Sequence, residues 1–554
     1  MDSETVSRML ARVVHRGPDD EGRIEVAGNV LGHRRLSIVD VEGGKQPLVT
    51  PDGDLYLVGN GEVYNHEEIR ETLEDGDLST RSDNEVALRL ISERGPGALS
   101  ELLGMFAFLI AGGDGTFIAA RDPVGIKPLY WASRDGLVRF ASEMRSFDES
   151  WQPDVESFPP GHYWTPEGGL VEFAAPVPPR DELEHFDGPG EPGAKIPDEI
   201  LEKVRGRLVR TVGRQMMGDV PVGVFLSGGL DSSLVAAIAA RWYEERGEKL
   251  KTFAVGLAGS PDLLAARAVA EYLDTEHHES VYTAEEALGV LPRVVRTIEN
   301  FDPSLVRSAV PNYILAAFTA RHVKVVLTGE GADEIFAGYE YLRDFHTEEA
   351  LHAELVRSIE GLHDLNLQRA DRVTMAHGLE ARVPFLELDM ISLGLSLPAG
   401  WKLAGEGQEE KRLLRQAFEG WLPDDFLWRK KAQFGDGSGA ASVLKTRMEE
   451  SVTEEEFARE QTRRPRAAEQ AEHVLFNHCE LALVHRPKSP TRASARVSRG
   501  AAERAPERQH HRSRDEGEQG RNGGNARRHR ERSTGEHQGF AGAGPRSRQE
   551  RLAG

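Results

Sequence analysis

Residues 227–233 read SGGLDSS, directly after the apolar run VPVGVFL at 220–226 and before a helical pattern. A strand that ends in two glycines and passes into a helix aims backbone N–H groups and the positive helix end at one point, where an anion can sit. The serines add hydroxyl donors. No lysine follows the glycines, so this is not the loop that grips β- and γ-phosphates through Gly-x-x-x-x-Gly-Lys-Ser/Thr. A bare Ser-Gly-Gly is more often a capped turn, but seven residues in a strand–loop–helix setting argue for anion binding. A second run, KVVLTGEGADE at 324–334, places Glu330, Asp333 and Glu334 just past a β-type stretch. Three carboxylates so close to a strand end are costly unless a cation or a substrate engages them. A third, TFAVGL at 252–257, ends at the level where open α/β sheets hold their ligands, so backbone groups at Val255 could read the edge of a base, although the run taken alone reads better as a core strand that ends in glycine.

The elements that must hold these runs fall into regimes. Residues 1–173 are rich in short β-type runs, among them VLGHRRLSIVD, LYLVGNGEVYN, GMFAFLIAG and LVRFASE, interrupted by the helical patterns HEEIRETLE and DNEVALRLISERG. Prolines at 176, 178, 179, 189, 192 and 197 mark a linker over 174–198. From 199 to 450 strands alternate with helices, the pattern of a parallel, doubly wound sheet. An extension covers 451–485. Residues 486–554 have almost no apolar periodicity and are expected to be disordered.

The totals exclude several classes. One cysteine in 554 residues rules out internal disulfides and Cys-rich zinc sites and suits a reducing cytoplasm. The longest apolar stretch, 102–111, is about half of what a membrane span needs. The first 485 residues carry 51 Lys/Arg against 83 Asp/Glu, an acidity that opposes nucleic-acid binding. The last 69 reverse the sign, with 17 against 8. Their basic residues are scattered and Phe540 is the lone aromatic among them, which fits a shifted reading frame better than a nucleic-acid tail.

In order along residues 10–440 stand HRGPDDEG, HRRLSIVD, VGNGEVYNH, TRSDNEV, LLGMFAF, ARDPVGIKPLYW, FASE, DVPVGVFLSGGLDSS, TFAVGL, GSPDL, VVLTGEGADEIFAGYEY, TMAHGLEARVPFL and WRKKAQFGDGSG. This series resembles asparagine synthetases of the glutamine-hydrolysing kind. The resemblance implies an N-terminal αββα sandwich of the N-terminal-nucleophile type with its first strand truncated, followed by a doubly wound ATP pyrophosphatase domain. The second domain would adenylate the side-chain carboxylate of aspartate and let ammonia displace AMP, with ATP and Mg²⁺ required and no nucleic acid or membrane involved; a homodimer is compatible with it. Leu226, Ser227, Gly228, Gly229, Asp231, Ser232, Val255, Thr328 and Gly329 would bind ATP, Asp231 and Asp333 the metal. Glu330 would serve the β-aspartyl-AMP intermediate. Arg382 and Lys431 are the cations proposed to face carboxylates or the phosphorus centre; for each, a solvent-facing charge or an ion pair (with Glu380 for Arg382) has even standing.

In the first domain the resemblance implies that Arg35 holds the glutamine α-carboxylate against Leu36, Ser37, Ile38 and Val39. Asn60 and Gly61 would form the oxyanion hole, Glu62 would stand beside them, and Asp83 would meet the substrate ammonium, although Asp83 also sits where a helix cap is expected. The nucleophile of that class is an N-terminal cysteine whose own α-amine is the base. Residue 2 is Asp2 and the one cysteine is Cys479. Either the true start lies upstream or the protein takes free ammonia; the glutamine-holding residues favour the first. The alternatives to asparagine synthesis are a related adenylating synthetase that forms a β-lactam or modifies a peptide, and a non-catalytic ATP-binding paralogue.

Overall fold

The computed structural model describes residues 2–74, 78–345, 347–430, 437–439 and 446. Lys431, Cys479, the 451–485 extension and the basic tail lie outside them.

The first domain is a mixed α/β sandwich. Its largest sheet has six antiparallel strands in the order Gly169–Glu172, His162–Thr165, Phe117–Arg121, Gly104–Gly112, Leu55–Val63 and Leu48–Val49. One face packs on the helix Asp83–Arg94 through Leu57, Phe106, Phe108, Val86 and Leu90. The other carries Ala107 and Ala119 against Leu129, Phe140 and Phe158, the apolar layer between sheets. Opposite lie a two-stranded sheet, Asp20–Val26 with Asn29–Arg35, and a three-stranded one in the order Leu137–Ala141, Tyr130–Arg134, Glu156–Ser157.

Two helices differ from the sequence reading. Ser3–Arg12 was not foreseen; Asp2 caps it by accepting from Thr5 N at 2.7 Å, and Val6, Met9 and Leu10 form its buried face. It lies on Asn29–Arg35, where Gly32 leaves the room: a Cβ there would stand 2.8 Å from Val6. The HEEIRETLE pattern is helical only over His66–Arg70, because its apolar residues are too few for a longer buried face.

The second domain is the doubly wound parallel sheet. Its order is Glu276–Val281, Lys251–Gly256, Val222–Phe225, Val325–Leu327 and Glu380–Arg382, every neighbouring pair parallel. Two of these strands carry no apolar signature. Glu276–Val281 (EHHESV) is an edge strand, and Glu380–Arg382 (EAR) is buried with its charges in ion pairs. The strand order reverses between Val222–Phe225 and Val325–Leu327, so the crevice expected of such sheets opens there.

Charged side chains fill the junction between the first-domain sandwich and the parallel sheet. Arg16 pairs with Asp371 at 2.7 Å, Arg372 reaches Glu143 at 3.3 Å and Glu299 at 3.0 Å, and Lys127 pairs with Glu380 at 2.9 Å. Arg372 is 0% exposed. Such charges are tolerated only when compensated, and the compensation fixes how the two sheets meet.

Candidate functional site

Strand Val222–Phe225 delivers the loop at 226–229, and helix Leu230–Glu244 leaves from Gly229, which has no side chain to cap it. The first N–H groups of that helix therefore face the crevice. Inside the loop the Ser227 and Ser232 hydroxyls lie 3.0 Å apart, and Gly229 N donates to Ser227 Oγ at 3.3 Å. Gly228 takes a φ of +69° with its Cα against Ala265, where a Cβ would stand 2.5 Å from that side chain.

The neighbouring strand ends close the floor. Leu226 N donates to Phe253 O at 2.8 Å, and Thr328 N to Arg382 O at 2.9 Å. Gly329 packs so closely on the loop that a Cβ would stand 2.8 Å from Asp231 Cβ and 3.0 Å from Ser232 N. Together they open onto a cavity of about 580 Å³. Leu226, Ser227, Gly229, Asp231, Ser232, Val255, Thr328, Gly329, Glu330 and Asp333 line it; Gly228 stands behind, its carbonyl accepting from Arg429 Nη1 at 2.9 Å.

The charges in the cavity are arranged in pairs. Glu330 meets Arg369 at 2.6 Å. Glu334 accepts from Tyr339 OH at 2.6 Å and from Asn366 Nδ2 at 3.2 Å. Burial, then the charge of Asp333, pushes its carboxyl up to about 7. Asp231 and Asp333 converge on one ammonium, that of Lys411, at 2.5 and 2.7 Å. No group of three or more His, Cys, Asp or Glu among the described residues forms a metal cage by itself. Two carboxylates side by side are nevertheless a donor set that magnesium accepts when phosphate oxygens complete it.

Arg382 is not brought to this cavity. It is 0% exposed, with Nε 3.0 Å from Glu380 and Nη1 donating to Gln215 O and Met217 O, so the ion-pair reading describes its place. Sequence reasoning missed Lys411, Arg369, Tyr339 and Arg429. It also missed Ser304, Arg307, Ser308 and Asn312, which line the cavity from helix Pro303–Thr319. A signal existed for the last four: a polar stripe at i, i+3, i+4 and i+8 on an otherwise apolar helix.

A second cavity, of about 390 Å³, is lined mainly by the first domain, with Met375 and Glu380 reaching it from the second. Arg35, Leu36, Ile38, Val39, Asn60, Gly61, Glu62 and Asp83 line it, and Ser37 does not. Its flanks are two sheet edges, Asn29–Arg35 and Leu137–Ala141. Arg35 donates to the carbonyls of Val39, Asp40 and Val41. The Asn60 Nδ2 is buried with no acceptor, a donor left for a ligand. Gly61 has a φ of +131°, and a Cβ there would collide with the carbonyl of Met105. Asp83 is the first residue of its helix rather than the cap, which is Ser82. Its Oδ2 accepts from Val63 N at 2.6 Å, and burial raises its carboxyl above the usual range. Glu62 is raised further, by burial and then by the charges of Glu380 and Asp83.

The family model for asparagine synthase matches residues 203–348 and 343–494, and that for a glutamine amidotransferase domain matches residues 1–165. A Schizosaccharomyces pombe protein named probable asparagine synthetase [glutamine-hydrolyzing] is 41% identical over 477 residues, 80% of this chain and 84% of its own. A Dictyostelium discoideum protein of the same name is 38% identical over 484 residues, 82% and 86% of the two chains. Asparagine synthetase [glutamine-hydrolyzing] 3 of Arabidopsis thaliana is 40% identical over 468 residues, 81% and 79%.

Proposed function

The chain belongs to the asparagine synthase family, and from that premise we propose that it joins nitrogen to the side-chain carboxylate of aspartate at the expense of ATP, releasing AMP and pyrophosphate. The observation that carries this reading is the convergence of three adjacent strand ends and one uncapped helix N-terminus on a single cavity that also holds the Glu330–Arg369 pair.

In this reading Leu226 and Val255 flank the adenine, while the backbone of Ser227–Ser232 and the helix N-terminus hold the pyrophosphate portion. A carboxylate oxygen of aspartate attacks the α-phosphorus; that O–P bond forms as the bond to the bridging oxygen of pyrophosphate breaks. Glu330, held by Arg369, orients the activated carboxyl. Asp231 and Asp333 would hold magnesium, which when bound would supply neutralisation of phosphate charge. Ammonia then attacks the carbonyl carbon, AMP leaves, and the amide nitrogen gives up a proton. Lys431 is kept as a cation for the phosphorus centre.

The cavity around Arg35, Asn60, Gly61 and Asp83 supports a glutamine-holding role for residues 1–173, joined through 174–198 to a synthetase domain at 199–450. We take glutamine as the source of that nitrogen, the donor that the names of the relatives give. Among the described residues no helix is long and apolar enough to cross a membrane. We assign the reaction to the cytoplasm from the single cysteine, and sedimentation of the full chain reads whether it forms a homodimer.

Aspartate-dependent exchange of labelled pyrophosphate into ATP tests the reading. Exchange that requires aspartate, with AMP as the accumulating nucleotide, is expected; ADP as the product, or undiminished exchange in Asp231→Ala, would overturn it.

A further inference from the structure

Lys411 belongs to none of the motifs that pointed to the nucleotide cavity, yet its ammonium joins two of them. It precedes helix Arg412–Ala417 with left-handed backbone angles, φ 52° and ψ 35°. Few residues other than glycine adopt these, and the surrounding structure must hold them in place. The side chain is 2% exposed, with Nζ 2.5 Å from Asp231 Oδ2 and 2.7 Å from Asp333 Oδ1. Gly338 clears its path, since a Cβ there would collide with Asp333 Oδ1 and stand 2.5 Å from Lys411 Cε. The backbone, the glycine and the two carboxylates thus serve one placement of a positive charge.

That placement sets a condition on the metal. A divalent cation taking these oxygens meets an ammonium already within hydrogen-bond distance of both, in a partly enclosed cavity where like charges repel strongly. A polyphosphate changes the balance: its oxygens add negative charge, complete the cation's shell and offer the ammonium a new partner. We propose that Lys411 is a built-in counter-ion that keeps Asp231 and Asp333 closed to a divalent cation until a nucleotide polyphosphate arrives, and then turns its ammonium to the phosphate oxygens. The inference rests on reading Asp231 and Asp333 as the metal carboxylates. Metal and nucleotide then enter together, and the free protein does not collect metal.

Mn²⁺ is the probe, with free Mn²⁺ read by electron paramagnetic resonance in the presence of the full-length chain. Without nucleotide, the wild type is expected to leave Mn²⁺ free. Lys411→Gln and Lys411→Met, one polar and one apolar so that a folding defect in one does not remove the test, are expected to bind it at least about tenfold more tightly, a change of ~1.4 kcal/mol. With a non-hydrolysable ATP analogue the order inverts: the wild type takes up Mn²⁺ and the two variants bind the complex more weakly. Stoichiometric Mn²⁺ binding by the wild type without nucleotide overturns the proposal whatever the variants do. So does superposition of the nucleotide-free titrations of wild type and a folded variant. Asp231→Asn separates the two layers: if it binds Mn²⁺ with the analogue as the wild type does, the metal-ligand reading falls and the inference with it. If Asp231→Asn loses that binding while both Lys411 variants behave as wild type, the counter-ion role alone falls.

Discussion

The Arg382 guanidinium, at the end of the last parallel strand, lies 3.5 Å from the carboxylate of Glu62, which lines the first-domain cavity. The same guanidinium is 3.0 Å from Glu380, and the carbonyl of Arg382 accepts from Thr328 N, which lines the cavity at the parallel-sheet strand ends. One residue therefore touches the walls of both cavities. Replacing it by methionine leaves Glu62 and Glu380 buried without their shared cation. A loss of about 3–5 kcal/mol in unfolding free energy is expected, read by denaturant melts. An unchanged midpoint would show that the pair is solvated rather than buried.

Gly329 sets how closely the strand end at Thr328 approaches the start of helix Leu230–Glu244. A methyl group there drives Asp231 Cβ and Ser232 N away. Gly329→Ala should raise KM for ATP at least about tenfold, a misplacement effect, while the melting temperature changes little. Gly289, on helix Ala284–Ile298 with nothing within 4 Å of an added Cβ, is the control. Alanine there should be neutral or stabilise by about 0.5–1 kcal/mol.

Arg369 holds Glu330 through one guanidinium nitrogen at 2.6 Å. Lysine keeps the charge but loses the planar fork. Arg369→Lys is expected to lower kcat about tenfold in pyrophosphate exchange and Glu330→Gln more, about a hundredfold, with both proteins folded. Equal losses would assign the effect to the positioning of Glu330 by the planar fork rather than to charge, which lysine keeps.

The sequence showed what is local. SGGLDSS, TFAVGL and TGEGADE each lie at the end of a strand whose neighbours are recognisable, so their meeting followed from the topology of a doubly wound sheet. Partners that meet only through the fold were hidden. Lys411 is 180 residues from Asp231, and Arg16 is 355 residues from Asp371. Nothing in a linear pattern says that a lysine beside RLLRQA turns inward, because the turn depends on a left-handed backbone and on the space at Gly338. The edge strand EHHESV was missed for the opposite reason: with one side open to solvent it has no need of an apolar run. Arg382 had two equal readings in sequence, and the burial of Glu380 beside it separates them.

Lys402 gives a pH dependence independent of the chemistry. It is 3% exposed, and its ammonium donates to Gly394 O at 3.0 Å. Burial lowers its pKa to about 7, from 10.5 for a free lysine. Below pH 7 it is protonated in both states and the full desolvation cost stands against the fold. Between pH 7 and 10.5 the unfolded chain holds more protons than the folded one, so stability rises with pH. The shift corresponds to roughly 5 kcal/mol. Lys402→Met removes this cost but leaves the Gly394 carbonyl without its donor, worth about 1–3 kcal/mol. The variant should therefore be more stable than the parent at pH 7, by about 2–4 kcal/mol on these two figures. Its advantage should shrink, and then reverse, as pH is raised towards 10.5, where the parent's lysine is neutral and the carbonyl still has its partner. Paired melts at several pH values read the crossing. Parallel curves would mean that Lys402 keeps its proton throughout.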